Sequence, residues 1–127
     1  MQNGGVVESV PSPAYLLKPG SSLGDIIKQF VGKMARESDQ LIWDYESGVA
    51  DQESIGFDQA NLELFRKFAG IPKDALLTTE TAVKSYRSQW IDFRCRQTAE
   101  LARLLNEGIK EANPKCKLAA YSGYQNP

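Results

Sequence analysis

Two acidic residues stand two positions apart at the end of a short run of strand-forming residues. The run is LIWDYE at 41–46, and its acids are Asp44 and Glu46. Because side chains alternate along a strand, both carboxylates point to one side, and Trp43 and Tyr45 point to the other. Neighbouring carboxylates perturb each other's pKa, so one can serve as a general acid while the other stays ionised. The pattern therefore predicts that one of the two carboxylates can act as a general acid, and Glu46, at the end of the strand, is the best catalytic candidate.

The same two acids also have a simpler interpretation. The following segment, SGVADQESIG at 47–56, is polar and contains glycine, which is typical of a loop. Asp44 and Glu46 would then open this loop or cap the next segment without taking part in a reaction. The position of the pair, after an apolar strand and before a helix, is the feature that favours chemistry.

The composition excludes most other catalytic and metal-binding chemistry. The 127 residues contain no histidine, which removes histidine-based catalysis and most zinc sites. Cys95 and Cys116 form no C-x-x-C pair, so we expect two buried thiols and no metal site. The sequence has no glycine-rich phosphate loop, and no cofactor is expected.

Charge and hydropathy restrict the partners of the chain. The net charge is −1, and no large block carries one sign, which argues against a dedicated nucleic-acid binder. No apolar run reaches the roughly 18 residues that a membrane-spanning helix needs, so no membrane partner is expected. The first 20 residues lack a basic stretch followed by an apolar one, and no signal peptide is predicted.

Hydrophobic spacing predicts the elements that would position the acids. Residues 1–20 are rich in glycine and proline, which predicts an irregular N-terminal segment. Apolar residues recur every three or four positions in three later stretches, which predicts helices. These helices cover about 22–37, 58–69 and 80–112. The run KLAAYSGY at 117–124 predicts a second strand after the one at 41–46.

This order of elements predicts an α/β fold with parallel strands joined by right-handed crossovers. A complete (β/α)₈ barrel takes about 250 residues. The expected fold is therefore a partial parallel (β/α)₈ (TIM) barrel that forms a single domain over 1–127, and a self-contained small α/β domain is the alternative. Because a partial barrel leaves strand edges open, self-association through those edges is expected.

The first strand end resembles a motif of known enzymes. DQLIWDYE at 39–46 is similar to the chitinase-type strand motif D-G-x-D-x-D-x-E. Asp39, Asp44 and Glu46 match acidic positions of that motif, whereas Ile42 stands where its middle acid lies. In that family the final Glu donates a proton, and the Asp two positions before it assists the acetamido group of the substrate. The resemblance implies these roles for Glu46 and Asp44.

A second resemblance, in layout, covers about 41–125 and is to retaining barrel glycosidases of the β-galactosidase-like kind. The layout comprises the strand end at Glu46, LELFRKF at 62–68, YRSQWIDFR at 86–94 and the strand within NPKCKLAAYSGY. The resemblance implies that Glu46 is the acid/base of glycosidic cleavage and that the nucleophile lies on a later strand, outside this chain. The chain alone is therefore expected to hydrolyse little or nothing.

Groups that could bind a sugar stand beside both predicted strand ends. Trp43 and Tyr45 flank the acids, and Ser122, Tyr124 and Gln125 follow the second strand. Aromatic rings stack on sugars, and hydroxyl and amide groups donate hydrogen bonds to them. A plain surface turn is the alternative for 122–125. The expected function is thus that of a glycoside-hydrolase-like barrel fragment with a carbohydrate substrate, and the alternative is a non-catalytic carbohydrate-binding or interaction module.

Overall fold

A computed structural model describes residues 12–44 and 56–121 of the chain. These residues form five helices and two strands. In chain order the elements are α1 (Pro13–Leu16), α2 (Ser22–Ala35), β1 (Gln40–Asp44), α3 (Gln59–Ala69), α4 (Thr79–Lys84), α5 (Arg87–Ala112) and β2 (Lys117–Tyr121). The segment 1–20, expected to be irregular, thus contains the single-turn helix α1.

The two strands form a parallel sheet. Leu41 of β1 lies opposite Leu118 of β2, and Trp43 lies opposite Ala120. Parallel pairing agrees with the alternation of strands and helices along the sequence. The barrel prediction is wrong, because the described residues contain this two-stranded sheet and are otherwise mainly helical.

The barrel prediction fails because the helices between the strands build a core of their own. A buried cluster joins α3, α4 and α5, and its centre is Phe65 with Trp90 and Phe93. These large aromatic side chains are therefore covered by helix–helix contacts and do not need a further strand to pack on. The assignment to a TIM barrel, and with it to the glycoside hydrolases, loses its structural basis.

A second buried cluster lies under the sheet, where α2 and the C-terminal half of α5 meet it. It contains Val31, Ala35, Ile109 and Cys116, and Leu41 packs against it. With 26 residues, α5 is about 39 Å long and contributes to both clusters. Cys116 is buried as expected, whereas the expectation of a buried Cys95 is wrong, because that thiol is exposed on α5.

Capping residues mark the ends of α2 and α3. The Asp58 carboxylate accepts a hydrogen bond from the Asn61 backbone N–H at 3.1 Å and starts α3. Gly70 ends α3 with a φ of 66°, a left-handed conformation that glycine adopts without strain. The Ser21 hydroxyl accepts from the Gly24 N–H at 3.4 Å at the start of α2.

The single helix predicted at 80–112 is interrupted. The backbone of Tyr86 leaves the helical conformation, with φ −121° and ψ 30°, between α4 and α5. The break lets the Tyr86 ring meet Phe65 edge-on at 6.5 Å between centroids, while Ala82 of α4 is fully buried in the same cluster. Core packing, rather than a helix-breaking residue, thus accounts for the interruption.

Helices α2 and α5 cross at a pair of glycines. A Cβ atom on Gly108 would lie 2.7 Å from the backbone oxygen of Lys28, and one on Gly32 would lie 3.0 Å from the backbone oxygen of Gly108. No side chain fits between backbones at this distance, so these glycines permit the close approach.

We expect Gly108→Ala to lower the free energy of unfolding by about 1–2 kcal/mol, because the overpacking cost exceeds the gain in helix propensity. Urea unfolding followed by circular dichroism measures this change. Asn106→Ala is the matched control, since Asn106 is exposed on the same helix, and its effect should stay within about 0.5 kcal/mol. A Gly108→Ala protein as stable as the wild type would contradict the close crossing.

Candidate binding groove

An open groove of about 560 Å³ lies between α3, α5 and the segment that carries α1. Ala60, Leu64 and Phe68 line it from α3, and their spacing of four places them on one face of that helix. Phe93 lines it from α5, and Tyr15 lines it from α1. Most of the surface that faces the groove is therefore apolar.

The groove is an exposed extension of the helical core. Phe93 is 7% exposed and belongs to that core, and its ring lies 5.4 Å from the ring of Phe68 between centroids. Phe68 and Leu64 are 38% and 40% exposed, and Tyr15 is 62% exposed. Apolar side chains thus continue from the core to the surface along one face of α3.

Backbone hydrogen bonds hold the wall that α1 provides. The Leu17 N–H donates to the Pro13 oxygen at 3.0 Å, and the Ser21 N–H donates to the Lys18 oxygen at 2.9 Å. Gly20 has a φ of 72°, which allows the tight turn from α1 into α2. This turn keeps Lys18 at the rim of the groove.

Arg96 lies over an aromatic ring at the edge of the groove. Its guanidinium carbon is 5.3 Å from the centroid of the Phe68 ring, which is a cation–π arrangement. Its Nε donates to the Asp92 carboxylate at 3.4 Å. Both charged groups are largely exposed, so the ion pair contributes little to stability but balances the charge of Arg96.

The other two charged residues of the groove differ in their partners. Glu100 accepts a hydrogen bond from the Arg103 Nε at 2.9 Å. The pKa of Arg103 is raised above its ordinary value, first by this hydrogen bond and then by the charge of Glu100. Lys18 has no ion pair with any residue that the structure describes. Lys18 and Glu100 also line a second pocket together with Asp25 and Glu107, so acidic side chains surround the Lys18 side of the groove.

A buried amide network lies behind the α3–α5 wall. Asn61 is fully buried, and its Nδ2 donates to the Gly56 oxygen at 2.7 Å. The Gln97 Nε2 donates to the Asn61 Oδ1 at 2.6 Å, and the Gln97 Oε1 accepts from the Arg94 Nη1 at 2.9 Å. Although Gln97 lines the groove, its amide is thus engaged inside the protein.

The structure does not assemble the carboxylate site predicted from sequence. Trp43 is half-buried on β1 and does not line the groove. Asp44 is the last residue of β1, and its side chain is not among the described ones. The remaining predicted site residues, Tyr45, Glu46, Ser122, Tyr124 and Gln125, lie outside the described ranges.

The groove is missed at the level of the sequence because the apolar spacing of 58–69 is interpreted only as evidence of a helix. The helical spacing of Leu62, Phe65 and Phe68 predicts a single buried side. A second stripe at Ala60 and Leu64, which also ends at Phe68, was already visible as an i, i+4, i+8 pattern. Such a stripe is the sequence signal for an apolar surface beyond the core.

Comparisons with protein-family profiles, curated protein sequences and solved structures gave no match to this chain. Across residues 12–44 and 56–121, no group of three histidine, cysteine or acidic side chains is arranged to hold a metal ion. In the same ranges, none of the helices combines the length and apolar character needed to cross a bilayer.

Proposed function

We propose that this chain is a non-catalytic binding module that holds an apolar ligand in the groove between α1, α3 and α5. The observation that carries the proposal is the continuous apolar surface formed by Leu64, Phe68 and Phe93, which is open to solvent at one side. Its volume of about 560 Å³ is in the usual range of ligand sites, roughly 300–1,000 Å³.

The hydrophobic effect supplies the driving force for this binding. Leu64 and Phe68 expose 40% and 38% of their surface, and contiguous apolar surface of this kind commonly marks an interaction site. A ligand that covers these side chains removes their apolar area from water, and about 25 cal/mol is gained for each Å². The turn at Lys18 and the cap of α3 fix the walls before the ligand binds, which lowers the entropic cost of binding.

An apolar ligand suits this lining better than a sugar does. A sugar needs several hydrogen-bonding groups that face it, whereas most of the surface facing the groove is apolar and the Gln97 amide is occupied by Asn61 and Arg94. Of the two forms of the non-catalytic alternative, the interaction module is therefore favoured over the carbohydrate-binding one.

Glycosidic hydrolysis is not part of this proposal, because the roles of Asp44 and Glu46 depend on a position at the end of a barrel strand.

Self-association stays a prediction. Within the described ranges, β1 and β2 pair only with each other, so each strand keeps one edge that is not paired with another described strand.

Titration with Nile red, an uncharged dye whose fluorescence rises in apolar surroundings, tests the proposed function. We expect saturable binding of one dye per chain. Leu64→Gln should weaken the binding roughly five- to tenfold, because it replaces apolar contact area with an amide. Leu64 is partly exposed on α3, so the variant should keep the wild-type circular dichroism spectrum.

Leu76→Gln is the matched control, because Leu76 is 75% exposed and lies outside the groove. Its affinity for the dye should equal that of the wild type. Equal loss in the two variants, or unchanged binding in a folded Leu64→Gln protein, would show that the dye binds elsewhere and would refute the proposal.

A further inference from the structure

We infer that a second copy of this chain docks on an apolar surface of α2, so that two copies form a symmetric, antiparallel pair of α2 helices. This surface, the α2 stripe, consists of Ile26, Phe30 and Met34, which are 60%, 64% and 40% exposed. The inference goes beyond the proposed function, because none of the three residues lines the groove. It also assigns self-association to a surface other than the strand edges.

The α2 stripe lies on the side of its helix that faces away from α5. Helix α5 approaches α2 along Gly24, Lys28 and Gly32. Each residue of the stripe follows one of these three by two positions, which is a rotation of about 200° around the helix. Val31 and Ala35 belong to the buried cluster under the sheet. The packing of α2 therefore leaves the three large side chains of the stripe at the surface.

The size of the α2 stripe indicates an interaction surface of modest area. Its three side chains expose apolar surface on the order of 300 Å² in total. Such an area is comparable with the largest apolar patch of many monomers, and patches of this size are often functional. A stable dimer buries about 800 Å² on each partner. Because the stripe supplies less than half of this area, we expect a weak dimer with a Kd of about 10–100 µM.

The spacing of the α2 stripe makes it complementary to a copy of itself. Ile26 and Met34 lie four residues before and after Phe30, which is about 6 Å in each direction along the helix. In an antiparallel pair with its two-fold axis at Phe30, the two Phe30 rings meet. Ile26 of each copy then lies opposite Met34 of the other. Every residue of the stripe thus gains an apolar partner, as an interface with two-fold symmetry requires.

The charges near the α2 stripe agree with a second copy as the partner. Glu37 is exposed about one turn after Met34. In the antiparallel pair it lies beside the first turn of α2 in the other copy, where the backbone N–H groups carry a partial positive charge. The net charge of −1 means that two copies repel each other little. Because Lys33 and Glu37 have opposite signs, a negatively charged membrane gains no comparable attraction.

Sedimentation equilibrium, at concentrations that bracket the expected Kd, tests the inference. The wild type should pass from monomer to dimer as its concentration rises. Phe30→Gln should raise the Kd about tenfold or more, because it removes apolar area from both copies at the centre of the interface. The exposed position of Phe30 should let the variant keep the wild-type circular dichroism spectrum. Ile91→Gln is the matched control, since Ile91 is 49% exposed on α5, and its Kd should equal that of the wild type.

Cysteine cross-linking tests the antiparallel arrangement. The background is Cys95→Ser, in which Cys116 is the remaining cysteine and is buried. Ile26→Cys and Met34→Cys proteins are mixed and oxidised with diamide, and intact mass distinguishes the three possible dimers. The mixed dimer should form faster than either homodimer, because the two positions lie opposite each other across the interface.

Three results would overturn the inference. The first is a wild type that stays monomeric at concentrations well above the expected Kd. The second is a dimer that forms equally well in folded Phe30→Gln, which would indicate association through another surface such as the strand edges. The third is cross-linking of each cysteine variant mainly with itself. Dye binding in the groove is measured separately, so these results leave the proposed function in place.

Discussion

Replacing Phe65 with alanine is expected to lower the free energy of unfolding by about 3–5 kcal/mol. Phe65 is fully buried at the centre of the helical core. Its ring meets Trp90 edge-on at 4.9 Å and lies 5.4 Å from Phe93, both between centroids. The substitution removes the apolar contacts of this ring and leaves a cavity between α3 and α5, which rigid helices close only partly.

Urea unfolding of Phe65→Ala, followed by tryptophan fluorescence and circular dichroism, measures this effect. Small domains have total stabilities of about 5–15 kcal/mol. A sizeable unfolded fraction of the Phe65→Ala protein without urea would therefore agree with the prediction. Leu76→Ala is the control, since Leu76 is 75% exposed and should change stability by less than about 0.5 kcal/mol. A loss below about 1 kcal/mol for Phe65→Ala would contradict its place at the centre of this core.

Local signals in the sequence were sufficient to predict most of the elements. The apolar spacing of 22–37 agrees with α2, and the spacing of 58–69 agrees with α3 to within a residue or two. The two short runs of strand-forming residues agree with β1 and β2, which pair in parallel. These elements follow from side-chain periodicity and end caps, both of which are properties of neighbouring residues.

The architecture could not be predicted in the same way. Apolar residues at helical spacing indicate a face that is commonly buried, but the spacing does not show which surface covers it. In this chain Phe65, Trp90 and Phe93 pack on one another, whereas the barrel prediction required that such faces cover strands. The break at Tyr86 is similar, since it involves neither glycine nor proline and depends on the contact of its ring with Phe65.

The groove depends even more on tertiary structure. Its walls come from residues about 50 and 80 positions apart, such as Tyr15, Leu64 and Phe93. The charged side chains beside the apolar stripe also come from other elements, with Lys18 after α1 and Arg96 on α5. A sequence pattern reveals the apolar stripe of α3 but not which charge lies beside it.

The second large effect is expected for Asn61→Ala, which should lower the free energy of unfolding by about 2–4 kcal/mol. Asn61 is fully buried and links the Gly56 oxygen to the Gln97 amide. Alanine cannot replace these hydrogen bonds, so polar atoms around the site lose their partners, at a cost of about 1–3 kcal/mol for each group that stays buried. A small cavity adds to the loss.

A double-mutant cycle with Gln97→Ala tests this mechanism. If the Gln97 Nε2 bond to Asn61 is the main contact, the two substitutions should be non-additive by about 1–2 kcal/mol, because removing one partner already costs the other its hydrogen bond. Asn106→Ala, the same substitution at an exposed position of α5, is the control and should be close to neutral. Additive losses would mean that Gly56 and the cavity, rather than the paired amides, account for the stability that Asn61 provides.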